Sequence, residues 1–166
     1  RSGTHLANKG FALFPRQVGN RNCALSRGEC EAYSIAYSDY GYHWNESTTF
    51  QKAVHPWELV QIGNNGSPLE TSEGWLVITH GVGPMRKYAL GALLLDLEDP
   101  SIVLGSLQLP LLEAEEDERN GYVPNVVYSC GGLIHNGLLI MPYGISDVGT
   151  RIATVNVNEL MNQRQT

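Results

Sequence analysis

Little of this sequence is charged, little is aromatic, and almost none of it is cysteine. Charged side chains make up 17% of the 166 residues and aromatic ones 8%, with three cysteines in all. An average domain carries roughly 25% charged residues, so long, salt-bridged surface helices are not expected. Positive charge is also short. Eleven basic against seventeen acidic side chains leave a net charge of −6, which argues against a nucleic-acid binder working by phosphate neutralisation. No apolar run approaches the roughly 20 residues of a membrane helix, and the longest are broken by Asp, His or Gly. No membrane partner is expected. Cys23, Cys30 and Cys130 cannot all pair and fit neither a zinc spacing nor a C-x-x-C redox pair. Reduced thiols in a cytoplasmic protein without a metal site are the expectation. Asn45-Glu46-Ser47 and Asn65-Gly66-Ser67 match a glycosylation sequon short enough to recur by chance. The chain opens on Arg1 with no signal peptide, and reads as the interior of something longer.

What is present is glycine, 18 residues, within a chain that is 42% apolar. That balance favours a folded domain of short elements and tight turns. Three segments repeat: Arg21–Gly28 (RNCALSRG), Gly74–Gly81 (GWLVITHG) and Gly137–Gly144 (GLLIMPYG). Each is a β-prone run ending in a bulky polar residue and Gly. Each is followed by a second run carrying an alanine, at Ala36, Ala92 and Ala153. Further strands are expected at Phe11–Phe14, Phe50–Val54, Glu58–Ile62, Ser101–Leu107 and Asn125–Cys130. Glu159 to Arg164 reads as a short C-terminal helix with Asn158 as its cap. Units of roughly 50–60 residues with about four strands fit propeller blades. The chain is therefore expected to be an all-β, partial β-propeller domain. Its three blades fall at approximately 1–56, 57–112 and 113–166. Three blades do not close a ring, so such a chain either associates with itself or is completed by further blades. Equivalent strand ends would bring Arg27, His80 and Tyr143 around one funnel, which suits an anionic or polyhydroxylated ligand. The alternative is that each polar end merely caps its strand in solvent.

From Gln61 to Leu97 the sequence, QIGNNGSPLETSEGWLVITHGVGPMRKYALGALLLDL, resembles glycoside hydrolase family 130, the β-mannoside phosphorylases and related mannosidases. The resemblance continues through Glu118-Arg-Asn-Gly-Tyr-Val-Pro-Asn-Val-Val-Tyr128 and Met141-Pro-Tyr-Gly-Ile-Ser-Asp147. Upstream it takes in Lys9 to Pro15, Leu25-Ser-Arg27, and Tyr37-Ser-Asp39 through His43-Trp44. It implies a five-bladed propeller with a sugar site in the axial funnel, of which this chain is about the last three blades. It implies inverting phosphorolysis of β-mannoside oligosaccharides, with inorganic phosphate as co-substrate and no other cofactor. The family's general-acid aspartate lies upstream, so no catalytic residue is expected within 1–166.

Carried over position by position, the resemblance makes Arg27 and His80 phosphate ligands. Gln61 is the third candidate phosphate contact, where phosphorylases of the family tend to carry Lys; its amide can hydrogen-bond phosphate but brings no charge, which favours the runner-up reading, an inverting β-mannosidase. Arg86 and Lys87 would restore charge only if their loop folds inward; otherwise they are solvated. Asp147 resembles a sugar-binding carboxylate, which suits a vicinal diol, and Tyr88 an aromatic bordering the sugar. Glu118 and Asn125, with Tyr143, are the remaining candidate sugar contacts, while the other members of the acidic run from Glu113 read as solvated loop. Asp39, Asp96 and Asp99 read as turn formers. A truncated, non-catalytic piece that binds sugar or another chain is the alternative outside the enzyme class.

Overall fold

The computed structural model describes Gly3 and residues 10–27 and 31–165; the expectations touching Lys9, Gly28 and Cys30 lie outside the described residues. Three antiparallel sheets follow one another along the chain. The first runs β1 (Ala12–Leu13), β2 (Asn22–Ser26), β3 (Ala32–Ser38), β4 (Glu46–Lys52), in that order. The second is built on a hairpin of β7 (Trp75–Val82) and β8 (Tyr88–Leu95). Both β5 (Gln61–Asn64) and β6 (Leu69–Glu70) pair with the free edge of β7, and β9 (Val103–Ser106) and β10 (Leu112–Glu113) with that of β8. Six strands thus fill four lanes. In the third sheet β11 (Val127–Ser129) and β12 (Leu133–His135) share one edge of β13 (Leu138–Ile145), and β14 (Gly149–Asn156) takes the other. Among the described residues that sheet has three lanes.

The repeated segments are the central hairpins. Ala36, Ala92 and Ala153 sit directly across from Ala24, Ile78 and Met141. Side chains alternate between the two faces of a strand, so the burial pattern reports which faces are covered. Every residue of β7 is buried, and β8 is buried from Ala89 onward. One face of this hairpin (Trp75, Val77, Leu93, Leu95) packs on Cys23, Leu25, Tyr33 and Ile35 of the first sheet. Its other face (Leu76, Ile78, Leu90, Leu94) packs on Leu139, Met141, Tyr143 and Ile145 of the third. Two covered faces explain its continuous apolar sequence. β13 instead alternates buried and less buried residues; its outer face, with β12 and β14, exposes Leu133, Leu138 and Ile152.

Several elements differ from expectation, two of them for a clear local cause. Residues 58–60 are not strand: Pro56–Glu58 form a 3-10 turn, because the Glu58 carboxylate accepts the backbone N–H groups of Val54 (2.9 Å) and His55 (3.1 Å). The adjoining Trp57 ring lies where side chains at Gly81 and Gly91 would stand. The C-terminal helix α1 spans Val157–Asn162. It starts two residues early because Asn156 itself caps it, accepting from the N–H groups of Asn158 and Glu159. Beyond α1, Gln165 bridges back to Ser106 of the second sheet. Among the described residues no helix is long and apolar enough to cross a membrane.

Candidate functional site

On β7, His80 shares the face of Ile78, which is turned toward the third sheet. Antiparallel pairing sets Gly63 of β5 opposite it. A β-carbon at Gly63 would lie 2.6 Å from His80 Cε1, 2.9 Å from His80 Nε2 and 3.1 Å from Arg27 Nη1. The bare glycine is therefore the floor on which imidazole and guanidinium meet. Measured from that one point, the two nitrogens lie within about 6 Å of each other. Arg27 directly follows β2 and is held by a hydrogen bond from Nη1 to the Ile62 carbonyl (3.0 Å). The ring of Tyr128, from β11, lies 5.2 Å from the imidazole, and that of Tyr88 stacks at 6.4 Å. All three sheets contribute to one spot.

Arg27 stands apart electrostatically from most of the other cations. Arg16, Arg21, Lys87, Arg151 and Arg164 each face a carboxylate within 3.1 Å. Arg27, only partly exposed, faces none among the described residues. His80 is buried, and burial together with the Arg27 charge pushes its pKa down to about 4. Its Nδ1 lies 2.6 Å from Asn65 Oδ1. Asn65 is itself buried, which disposes of it as a glycosylation site, and its Nδ2 has no partner among the described residues. Burial also raises the Tyr128 phenol, an effect Arg27 opposes.

The other candidates lie on neighbouring strands and turns. Gln61 pairs with Val82, two residues from Gly63, and so shares the His80 face at the strand's start. Tyr88 is fixed by its backbone N–H to the Asn125 carbonyl (3.1 Å), with Asn125 in a left-handed turn (φ 60°). Asp147 is exposed in another such turn (φ 57°). Arg86 is exposed and Lys87 is bonded to Glu113 (2.6 Å), so neither folds inward.

Tyr143 does not join Arg27 and His80. Its hydroxyl donates to Glu118 Oε1 (3.1 Å), which also accepts Arg151 Nη1 (2.7 Å). Glu118 Oε2 takes the Glu115 N–H (2.9 Å), and its carbonyl takes the Ser146 hydroxyl. Burial and this carboxylate hold the Tyr143 phenol above its ordinary pKa. The repeat positions also differ in parity. Arg27 and His80 share the faces of Leu25 and Ile78, which pack on the following sheet, whereas Tyr143 shares the face of Met141, which packs back on the second. Glu118 is correspondingly a buried tie at the base of its loop.

The residues passed over by the sequence reading are Asn65, hidden inside a sequon match, and Tyr128, quoted only as the end of a motif. Asn65 is brought to His80 by the pairing of β5 with β7, which sets Gly63 opposite the histidine, and no local sequence signal marks it. Asp96 and Asp99 cap their turns as expected, accepting from Glu98, Asp99 and Ser101. Asp39 pairs with Arg21. Cys23 and Cys130 are free thiols, and no cluster of metal-ligating side chains occurs among the described residues.

Comparison with known proteins places this geometry. Residues 4–165 match the model of glycoside hydrolase family 130, described as beta-1,4-mannooligosaccharide phosphorylase. The chain is 35% identical over 155 residues to the 1,2-beta-oligomannan phosphorylase of Thermoanaerobacter sp. (strain X514), covering 92% of this chain and 52% of that protein. It is 39% identical over 149 residues to a beta-1,2-mannobiose phosphorylase of the same strain, covering 89% and 49%. The structure of beta-1,2-mannobiose phosphorylase from Listeria innocua in complex with β-1,2-mannobiose superimposes with a TM-score of 0.87 at 30% identity. That match covers 95% of this chain and 46% of the other. The chain spans about half the length of these relatives. Its sheets have the β-propeller-type arrangement of that enzyme. Matched by the family model over nearly its whole length, the chain belongs to glycoside hydrolase family 130.

Proposed function

We propose that this chain is the phosphate-holding part of an enzyme that cleaves β-mannosides by inverting phosphorolysis. The observation that carries the reading is Arg27. It is a partly buried guanidinium without a carboxylate among the described residues, set over Gly63 beside the buried His80. A phosphate oxygen attacks the anomeric carbon, the glycosidic C–O bond breaks, and a general acid protonates the departing oxygen, leaving mannose 1-phosphate. Nη1 of Arg27 is anchored on the Ile62 carbonyl, which orients the rest of the planar fork for two phosphate oxygens. Tyr88, Asn125 and Asp147 border the sugar, and Gln61 the phosphate. Glu118 and Tyr143 support the third sheet from behind. The general-acid aspartate is supplied from outside residues 1–166.

In this reading the three sheets are blades of a five-bladed propeller, with approximate limits 1–56, 57–112 and 113–166. The ring is completed by further blades or by association with another copy. The free thiols of Cys23 and Cys130 among the described residues fit a cytoplasmic enzyme. The relatives described above act on 1,2-linked β-mannosides, which makes that linkage the first to test.

One observation favours a second reading, inverting hydrolysis: Gln61 brings no charge to the His80 face, and neither Arg86 nor Lys87 replaces it. The full-length protein separates the two on β-1,2-mannobiose with and without phosphate. Phosphorolysis yields mannose 1-phosphate. Arg27→Ala then lowers the phosphate-dependent rate roughly 10- to 150-fold, and Gln61→Lys raises phosphate affinity. Phosphate-independent release of free mannose, unchanged by Gln61→Lys, overturns phosphorolysis and installs the hydrolase.

A further inference from the structure

We infer that Asn65 is a positioning residue that fixes His80 as its Nδ1–H tautomer. Nε2 then meets the ligand as a lone pair and accepts a hydrogen bond from a ligand hydroxyl, either the P–OH of phosphate or a hydroxyl of the sugar. The identity of the ligand rests on the function proposed above; the tautomer does not.

An amide oxygen has no hydrogen to give, so across the 2.6 Å contact Nδ1 must be the donor and Asn65 Oδ1 the acceptor. Asn65 cannot easily swing away. It is buried, its own N–H is bonded to the Ile78 carbonyl (2.7 Å), and the next residue, Gly66, holds a left-handed turn (φ 77°) against the Cys130 carbonyl. A neutral imidazole has one N–H, and here it is committed to Asn65. Among the described residues the charged and phenolic groups facing the ring are Arg27, Tyr88 and Tyr128, none of them a carboxylate. Burial and the Arg27 charge keep the ring neutral at ordinary pH. Nε2 lies 2.9 Å from the point over Gly63 that Arg27 Nη1 approaches to 3.1 Å. The two side chains therefore divide the work. Arg27 donates to bare, negatively charged oxygens, and His80 selects an oxygen that carries a hydrogen.

The test is the nitrogen-15 spectrum of the histidine side chains in the full-length protein at neutral pH, with His80→Gln assigning the signal. A protonated Nδ1 and a bare Nε2 are expected. Asn65→Leu should release the ring to a mixture of tautomers and lower kcat/KM about 5- to 10-fold. Asn65→Asp, which keeps an acceptor at the same place, should restore the Nδ1–H form. If Asn65→Leu fails to fold, the wild-type spectrum alone still decides. Inorganic phosphate and methyl β-mannoside are then added separately, and the one supplying the hydroxyl shifts Nε2. A wild-type ring protonated at Nε2 overturns the inference. An Nε2 signal unmoved by either ligand overturns the ligand half and leaves the tautomer standing. Absence of phosphorolysis with the tautomer intact removes only the function proposed above.

Discussion

Gly63→Ala is a sharp perturbation because it adds one carbon and changes little else. The glycine has no left-handed φ, so alanine fits the backbone and the effect is steric. The new carbon would meet His80 Cε1 at 2.6 Å and Nε2 at 2.9 Å, against roughly 3.5–4.0 Å for ordinary carbon contacts. The imidazole must therefore withdraw by about 1 Å. It has little room to do so, with Asn65 at 2.6 Å on Nδ1 and the Tyr128 ring 5.2 Å away. Overpacking of this kind costs about 1–3 kcal/mol, and a 1 Å misplacement of a reacting or binding group about 10²-fold in rate. Urea unfolding of the full-length variant should show a modest loss. The phosphate-dependent kcat/KM should fall by about two orders of magnitude, with the KM for phosphate taking part of it because Arg27 is displaced as well. Wild-type kinetics in a variant that folds normally would refute the idea that the glycine floor brings these two side chains together.

Other outcomes follow from the same coordinates. Glu118→Ala leaves the Tyr143 hydroxyl and the Arg151 guanidinium without their buried acceptor, and should cost about 2–4 kcal/mol by urea titration; Glu118→Gln should cost less, and an unchanged midpoint in both would contradict the structural role. The folded pKa of His80, about 4, lies below its ordinary 6.5. The unfolded chain therefore binds the extra proton first, and this contribution, full above about pH 6.5, is lost as pH falls toward 4. His80→Gln should flatten that part of the stability profile, and an identical acid slope in the variant would count against it. On the outer face of the third sheet, Ile152 is 69% exposed, and Ile152→Lys should reduce self-association of the isolated chain by light scattering; a stable, dilute monomer of the unaltered chain would argue against an incomplete ring.

Hairpins were legible because their signal is strong. The apolar runs ending at His80 and Tyr143 lie on β7 and β13, and each recurring alanine faces the strand before it. The polar edge strand β4, Glu46–Lys52, was placed four residues late because ESTTFQK is largely solvent-facing and carries almost no apolar pattern. Face parity was illegible for a different reason. An offset between repeats says which strands correspond, not which residue of the strand looks forward, and a shift of one residue turned Tyr143 toward Glu118. Asn65 escaped for a third reason: its partner is brought by cross-strand register, which no local pattern encodes.

Arg27, His80 and Tyr128 come from three different sheets, and this makes any ligand they share a thermodynamic tie between those sheets. A molecule that binds only the assembled arrangement adds RT ln(1 + [L]/Kd) to its stability, about 2.7 kcal/mol at a hundredfold excess over Kd. Occupancy and cohesion are then the same quantity measured at two ends. Loosening the packing of Val77 against the first sheet, with no contact to such a ligand, should let Arg27 part from His80 and weaken binding. Filling the site in turn opposes the parting of the sheets, adding to the apolar layer and to cross-sheet contacts such as Arg16 to Glu70 and Tyr88 to Asn125.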